Sequence, residues 1–259
     1  MSDIEFRDAV AVVTGGAGGI GRALGARLSA EGARVALVDL DEAAAAAAAA
    51  ETGAAVGLGA DVGDETSLRA MIDRVEGDLG TIDIYCSNAG VATGGGLGED
   101  GDWEVSWRVH ALAHVHAARV LMPGMAARGS GVFVVTASAA GLLMLMQSAP
   151  YTVTKHAAVA IAEWLAVRHG GSGVQVHCLC PQGVRTPMLE GDSGGRSEVG
   201  SSGRILEPDQ VAGEVIVAIR ENRFLVLPHP EVHDYETAKV ADRDRWLGGM
   251  RRLLSRLGQ

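Results

Sequence analysis

Three cysteines in 259 residues cannot build a disulfide framework. Cys86 stands alone. Cys178 and Cys180 are two apart, read here as facing opposite sides of a strand, and do not form the C-x-x-C of a metal or redox site. Such usage fits a reducing, cytoplasmic compartment. Cations are also short: 22 Lys and Arg face 32 Asp and Glu, a net charge of −10. That balance argues against nucleic acid or an anionic membrane as a partner. Long apolar runs are missing. The longest, residues 131–146, is broken by Thr136, Ser138 and two glycines, and is too short and polar to span a bilayer. The opening MSDIEFRD is acidic, so no signal peptide is expected. Only 7 prolines accompany the 36 glycines, which excludes low-complexity disorder. The glycines must therefore serve turns and close backbone approaches in an ordered chain.

What is present is alternation. Short apolar runs at residues 9–13, 34–38, 55–59, 82–85, 132–135, 174–179 and 224–227 alternate with helical patterns. The patterns end near Glu31, then cover 42–51, 65–79, about 103–127, about 151–169, and a stretch from about 208. Eight consecutive alanines at 43–50 read as extreme helix propensity with little to pack. Strand, helix, strand with few hairpin signals means a parallel sheet covered on both faces. An α/β, doubly wound fold of about seven strands is expected. Residues 1–228 read as one domain with a short Gly- and Ser-rich lid at about 189–205. Residues 229–259 read as an added amphipathic helical segment.

Thr14 to Gly21, TGGAGGIG, lies directly after the first strand and directly before a helix. Glycines there let backbone N–H groups approach a pyrophosphate, and the helix N-terminus adds partial positive charge. Alone, the segment could be a Gly-rich turn; without a GK[S/T] ending it is not an ATP-type loop. Asp39 ends the second strand, 18 residues after Gly21. A carboxylate there can bind the ribose hydroxyls of NAD and would repel the 2′-phosphate of NADP, although it could also be a turn residue. Tyr151 and Lys155, at i and i+4, share a helix face. An ammonium beside a phenol favours phenolate, which suits a general acid/base. Ser138 follows a buried strand, where a hydroxyl can polarise a carbonyl.

Together with Asp61-Val62, Asn88-Ala89-Gly90 and Pro181…Thr186, these residues resemble the short-chain dehydrogenase/reductase family, over nearly the whole chain to about residue 227. The resemblance implies a Rossmann fold with the dinucleotide at the C-terminal ends of the strands. It implies that Gly15, Gly19, Ile20 and Gly21 cradle the pyrophosphate, that Asp61 and Val62 contact the adenine, and that Asn88, Ala89 and Gly90 line the cleft. Tyr151 would transfer the proton. Lys155 would lower its pKa and bind the nicotinamide ribose, and Ser138 would position the substrate oxygen. Val184 and Thr186 would hold the carboxamide. A homodimer or homotetramer is also implied.

The chain departs from the family pattern in several places. Ser87 replaces an Asn, with little effect expected. Gln182 replaces the Gly of a Pro-Gly pair and is expected to reshape the nicotinamide loop. His110 replaces the Asn that holds a water linking the catalytic Lys to solvent. Three readings are open: an imidazole that takes over this relay and titrates near neutral pH, a residue that fills space, or impaired catalysis. His110, His114 and His116 lack a further ligand, so no metal is expected. Between Ser138 and Tyr151 run Leu142, Leu143, Met144, Leu145 and Met146. Ala140, Met144 and Met188 are candidate substrate contacts, implying a hydrophobic alcohol or ketone unless these residues pack the core or an interface. After Leu227, Trp246, Leu247, Met250, Leu253, Leu254 and Leu257 form an apolar stripe, with five Arg from Arg243 onward on the other positions. Docking on the body or on a partner subunit is expected rather than a membrane. The expected activity is NAD-dependent interconversion of a secondary alcohol and a ketone. The alternatives are an NADPH-dependent ketoreductase and a non-catalytic NAD(H)-binding regulator.

Overall fold

The computed structural model describes residues 5–191 and 204–256. Among these, seven strands form one sheet: β1 Val10–Thr14, β2 Arg34–Asp39, β3 Val56–Gly59, β4 Ile82–Ser87, β5 Gly131–Thr136, β6 Val174–Leu179 and β7 Leu225–Val226. Their order is β3-β2-β1-β4-β5-β6-β7, and every neighbouring pair is parallel. The chain winds outward from β1 to β3 and returns to β4 on the other side. This reversal opens a crevice beyond the C-terminal ends of β1 and β4.

Helices α1 Gly19–Ala30, α2 Glu42–Thr52 and α8 Pro208–Glu221 cover one face of the sheet. Helices α3 Glu65–Leu79, α5 Ala113–Arg128 and α6 Ala149–His169 cover the other. Side chains alternate along a strand. Val10 and Val12 therefore enter the second core, while Ala11 and Val13 enter the first. Burial on both faces is why the strands read as unbroken apolar runs. The alanine run of α2 packs more than expected: Ala45, Ala48 and Ala49 are buried, and a Cβ on Gly57 would run into the backbone of Ala45. Small side chains let the helix settle directly on β3.

Two expectations need correction. The helix expected at about 103–127 is composite: α4 Asp100–Trp107, a π-helical turn Arg108–Leu112, then α5. Its i→i+5 bonding inserts an extra residue and leaves His110 and Ala111 buried. Cys178 and Cys180 share a face, because i and i+2 always do on a strand; their Sγ atoms lie 3.7 Å apart. Both thiols are buried and free, as is Cys86.

After a short helix α7 Pro187–Gly191, α8 and β7, the chain adds α9 Glu231–Ala241 and α10 Arg243–Arg256. Lys239 of α9 is buried and donates to the carbonyls of Leu142 and Leu143, the latter at 2.9 Å. Its third neighbour is His156 Nε2 at 3.3 Å. The other ring nitrogen of His156 bonds the Thr152 carbonyl, which leaves the Nε2 lone pair for the ammonium. The same Nζ lies 5.3 Å from the Trp246 ring centroid. One side chain thus links α9, α10, α6 and the loop before α6. Among the described residues no helix is long and apolar enough to cross a membrane.

Lys239→Ala leaves two carbonyls without their donor, at a cost of about 1–3 kcal/mol. At about 2–4 °C per kcal/mol for a chain of this size, the thermal midpoint should fall by several degrees. Limited proteolysis should then cut first within residues 229–256. A variant with unchanged midpoint and cleavage pattern would show that Lys239 does not fasten this segment.

Candidate active site

The site begins with a set of hydrogen bonds across three strand ends. The N–H groups of Asn88 and Ala89 donate to Thr14 Oγ1 at 2.9 and 3.1 Å. Asn88 Nδ2 donates to the Thr14 carbonyl at 2.9 Å, and Thr136 Oγ1 donates to Asn88 Oδ1 at 3.1 Å. Lys155 Nζ then donates to the Thr136 carbonyl at 3.0 Å. Asn88 therefore bridges β1 and β5 at the point where the sheet reverses direction.

The glycine loop packs directly on these ends. Gly15 has φ +63°, and a Cβ there would lie 2.9 Å from Ala89 Cα. A Cβ on Gly21 would collide with the Gly15 carbonyl. Asp39 holds the loop from β2: its carboxylate accepts from Ala17 N at 3.0 Å and from Leu40 N at 2.8 Å. The cation nearest the loop in sequence, Arg22, is paired with Glu51. Asp61 accepts from Gly63 N at 2.8 Å and from Arg108 at 2.9 Å. A cavity of about 880 Å³ runs from Gly15, Gly19, Ile20 and Asp39 past Asp61, Val62 and Asn88–Gly90 to Ser138, Tyr151 and Lys155. Val184 and Thr186 line its far side, and Thr186 packs against Gly19 closely enough to exclude a Cβ there. A long groove with a carboxylate at one end and a glycine floor at its middle fits a dinucleotide.

Ser148 caps α6 by accepting from Tyr151 N at 3.3 Å, with Pro150 in the first turn. Burial raises the Tyr151 pKa above 10, and the hydrogen bond from Ser138 opposes that shift. Ser138 Oγ also accepts from Ala140 N at 3.1 Å. Lys155 Nζ is 5.7 Å from the Tyr151 ring centroid, and burial lowers its pKa to about 8. The lowered phenol pKa expected from Lys155 is not seen in this structure: burial is the largest influence on Tyr151 and raises it. No salt bridge reaches Lys155 among the described residues; the Thr136 carbonyl is its polar partner.

His110 joins this group but not as a group that titrates near neutrality. Its Nε2 accepts from Val91 N at 3.0 Å, so the proton sits on Nδ1, which donates to Thr154 Oγ1 at 2.9 Å. Thr154 in turn donates to the Pro150 carbonyl at 2.7 Å. The ring meets Tyr151 edge-on, with centroids 5.3 Å apart. Burial, and then the charge of Lys155, hold the His110 pKa well below its usual value. One turn on, buried His114 bonds Ser87 Oγ at 2.7 Å, and burial lowers its pKa to about 3. Ser87, which stands where the family has an Asn, is therefore the hydrogen-bonding partner of His114. Among the described residues no cluster of three or more His, Cys, Asp or Glu could hold a metal.

Ala140, Leu143, Met144, Leu145 and Met188 line the same cavity as Ser138 and Tyr151, whereas Leu142 packs into the core. Of the lid expected at 189–205, residues 192–203 lie outside the described residues, as does Leu257. Two residues were missed. His229, wholly buried, accepts from Gln182 N at 3.1 Å through Nδ1 and donates from Nε2 to the carbonyls of Gly183 and Arg204, each at 3.1 Å. It holds the backbone where Gln182 departs from the usual glycine. Its signal was a histidine between two prolines just past the last strand. Lys239 had a plainer signal: the chain has two lysines, and the other is Lys155.

Comparison with known proteins gives the following. The family model for short chain dehydrogenase matches residues 9–195. A 1-deoxy-11-beta-hydroxypentalenate dehydrogenase of Streptomyces exfoliatus is 37% identical, covering 94% of this chain and 89% of that protein. A D-threitol dehydrogenase of Mycolicibacterium smegmatis is 33% identical over 83% of this chain and 87% of its own length. Among solved structures, a short chain dehydrogenase/reductase from Burkholderia phymatum in complex with NAD superposes with a TM-score of 0.84. It is 28% identical, with 93% of this chain and 96% of that chain covered.

Two outcomes follow from the electrostatics. The His110 ring protons, assigned by difference from a His110→Phe variant, should show no NMR titration from about pH 5 to about pH 8; a midpoint near 6.5 would restore the relay reading. For Lys155 the folded pKa lies below the unfolded value, so the unfolded chain binds more protons between about pH 8 and about pH 10.4. Stability conferred by this group is therefore lost as pH falls. The thermal midpoint of the wild-type chain minus that of Lys155→Met should be more positive at about pH 9.5 than at about pH 7. An unchanged difference would mean that Lys155 is not desolvated.

Proposed function

The chain belongs to the short-chain dehydrogenase/reductase family and is an oxidoreductase of CH–OH donors; from that premise we propose that it is an NAD-dependent dehydrogenase of a hydrophobic secondary alcohol. The observation that carries this reading is that Ser138, Tyr151 and Lys155 open into the same cavity as Asp39 and the glycine loop. When bound, the nicotinamide is the acceptor or donor of hydride. Tyr151 exchanges a proton with the substrate oxygen: the phenol O–H donates to the ketone in reduction, and the phenolate accepts from the alcohol in oxidation. Ser138 bonds the same oxygen and fixes its direction. His110 is a positioning residue that ties the backbone after Gly90 to α6 through Val91 and Thr154.

Gly15, Gly19, Ile20 and Gly21 would hold the diphosphate, Asp61 and Val62 the adenine, and Val184 and Thr186 the carboxamide. NAD is favoured over NADP because Asp39 would present negative charge to the adenosine ribose and Arg22 is engaged by Glu51. The related structure holding NAD supports the same choice. The relatives named for a hydroxypentalenate and for threitol differ in polarity. The methionine- and leucine-lined substrate end favours the less polar class. Val153, Trp164 and Val167 leave an apolar stripe exposed on α6, which supports assembly with a second copy. Three buried free cysteines support a cytoplasmic setting.

The test is NADH formation from a panel of secondary alcohols. NAD⁺ should be reduced and NADP⁺ should not. Tyr151→Phe should lose about 10²–10⁴-fold in rate while still quenching NADH fluorescence on binding. A chain that oxidises no alcohol, or that prefers NADP⁺, would overturn the proposal.

A further inference from the structure

We propose that the C-terminal helix α10 is the specificity element of the site. Trp246, Met250 and Leu253 form the wall that meets the part of the substrate remote from the reacting carbon. They select bulky, rigid hydrocarbon skeletons over short alcohols and polyols. The inference rests on the dehydrogenase reading above.

The first ground is which way the helix faces. Trp246, Met250 and Leu253 fall at i, i+4 and i+7, one face of α10, and all three line the cavity. An amphipathic helix ordinarily sinks its stripe into a core. This helix buries no side chain; its stripe is half-buried, and Arg243, Arg245, Arg251, Arg252 and Arg256 are exposed to solvent. The apolar face is turned onto open volume, not onto packed protein.

The second ground is what stands opposite. Leu143, Met144, Leu145 and Met188 form the facing wall. Among the described residues, the charged side chains lining the cavity are Asp39, Asp61 and Lys155. Two of these belong to the dinucleotide end and the third to the catalytic group. Among the described residues lining that end, Lys155 alone offers positive charge to a carboxylate or an acyl phosphate. An apolar enclosure bounded by Trp and Met fits a hydrocarbon skeleton, whose burial is favourable in proportion to the apolar area removed from water.

The third ground is rigidity. Lys239 donates to the carbonyls of Leu143, on one wall, and of Leu142 just before it, and lies under the Trp246 ring on the other wall. One ammonium therefore sets the distance between the two walls, and a cavity of fixed width discriminates rigid ligands best. Gly248 and Gly249 lie within the helix between Trp246 and Met250. A Cβ on either would meet only the end of Arg252 within 4 Å, so crowding does not require glycine there. Each glycine weakens the helix relative to alanine, so this wall relies on the Lys239 contacts for its rigidity.

The experiment compares borneol, a bicyclic secondary alcohol, with 2-butanol as substrates for the full chain. Calorimetry of camphor, the ketone of borneol, binding to the complex with NADH gives a readout independent of turnover. The variants are Trp246→Ala, which removes wall, and Met250→Trp, which fills the volume. Leu247→Ala, on the exposed side, is the control. Changing even one methylene in an apolar pocket is worth about 10–200-fold. Both variants should therefore lower kcat/KM for borneol by about tenfold or more, leave 2-butanol within about twofold, and weaken camphor in parallel. The inference is overturned if the borneol to 2-butanol ratio stays within about twofold in both variants with NADH affinity intact. It is also overturned if the wild-type chain oxidises 2-butanol or polyols but neither binds camphor nor oxidises borneol. If camphor binds and the variants weaken it, yet no alcohol is oxidised, the wall stands and the dehydrogenase reading falls. Should Trp246→Ala fail to fold, Met250→Trp decides alone.

Discussion

The hydrogen bonds from Thr14 through Asn88 and Thr136 to Lys155 are the constraint on which the site depends. At the reversal of strand order, the chains leaving β1 and β4 turn to helices on opposite faces, and the ladder between the strands stops. Asn88 continues the pairing with its side chain, satisfying the Thr14 carbonyl and taking the Thr136 hydroxyl. The next carbonyl in that series, that of Thr136, receives the Lys155 ammonium. The position of the catalytic cation is thus referenced to the sheet itself, not only to the helix that carries it. The close approach of Gly15 to Ala89 follows from the same tie, since the loop must lie flat on these strand ends.

Much of this was legible because it is local. The seven apolar runs are strands because both faces of each are buried, and the runs end where the ladder ends to within a residue or two. The 82–85 run proves longer because Cys86 and Ser87 still pair with Val134 and Val135. TGGAGGIG, Asp39 and the Tyr151/Lys155 spacing carry their chemistry in a few consecutive residues. What was not legible is long-range. Lys239 and Leu142 are 97 positions apart, and Gln182 and His229 are 47 apart. No residue type announces the π-turn that buries His110, and its low pKa comes from the enclosure that this turn creates.

The choice of lysine at two buried positions has a common reason. Among the described residues the other basic side chains are arginines, exposed or partly exposed, and several of them pair with surface carboxylates. Lys155 and Lys239 instead answer to neutral acceptors: the Thr136 carbonyl in one case, two carbonyls and an imidazole in the other. An ammonium is compact, aims three donors at separate acceptors, and shifts its pKa readily when buried. A guanidinium presents a flat fork suited to carboxylates. Burial holds His110 and His114 neutral, and the nearby charge of Lys155 acts in the same direction.

The two ends of the cavity are built to different standards of order, and this bears on how one scaffold can serve different substrates. The catalytic end rests on strand termini and on side chains buried in the two cores, where a shift of one residue disturbs several hydrogen bonds. The substrate end rests on α10, a helix that buries no side chain and contains two adjacent glycines. Substitutions there change the shape of the wall with small cost to the fold, because exposed or half-exposed positions carry little of the folding energy. A buried lysine then restores enough rigidity for that shape to matter. One wall of the proposed substrate end is thereby carried by a segment added after the last strand, while Ser138, Tyr151 and Lys155 remain held by the sheet and by the helix that begins at Ala149.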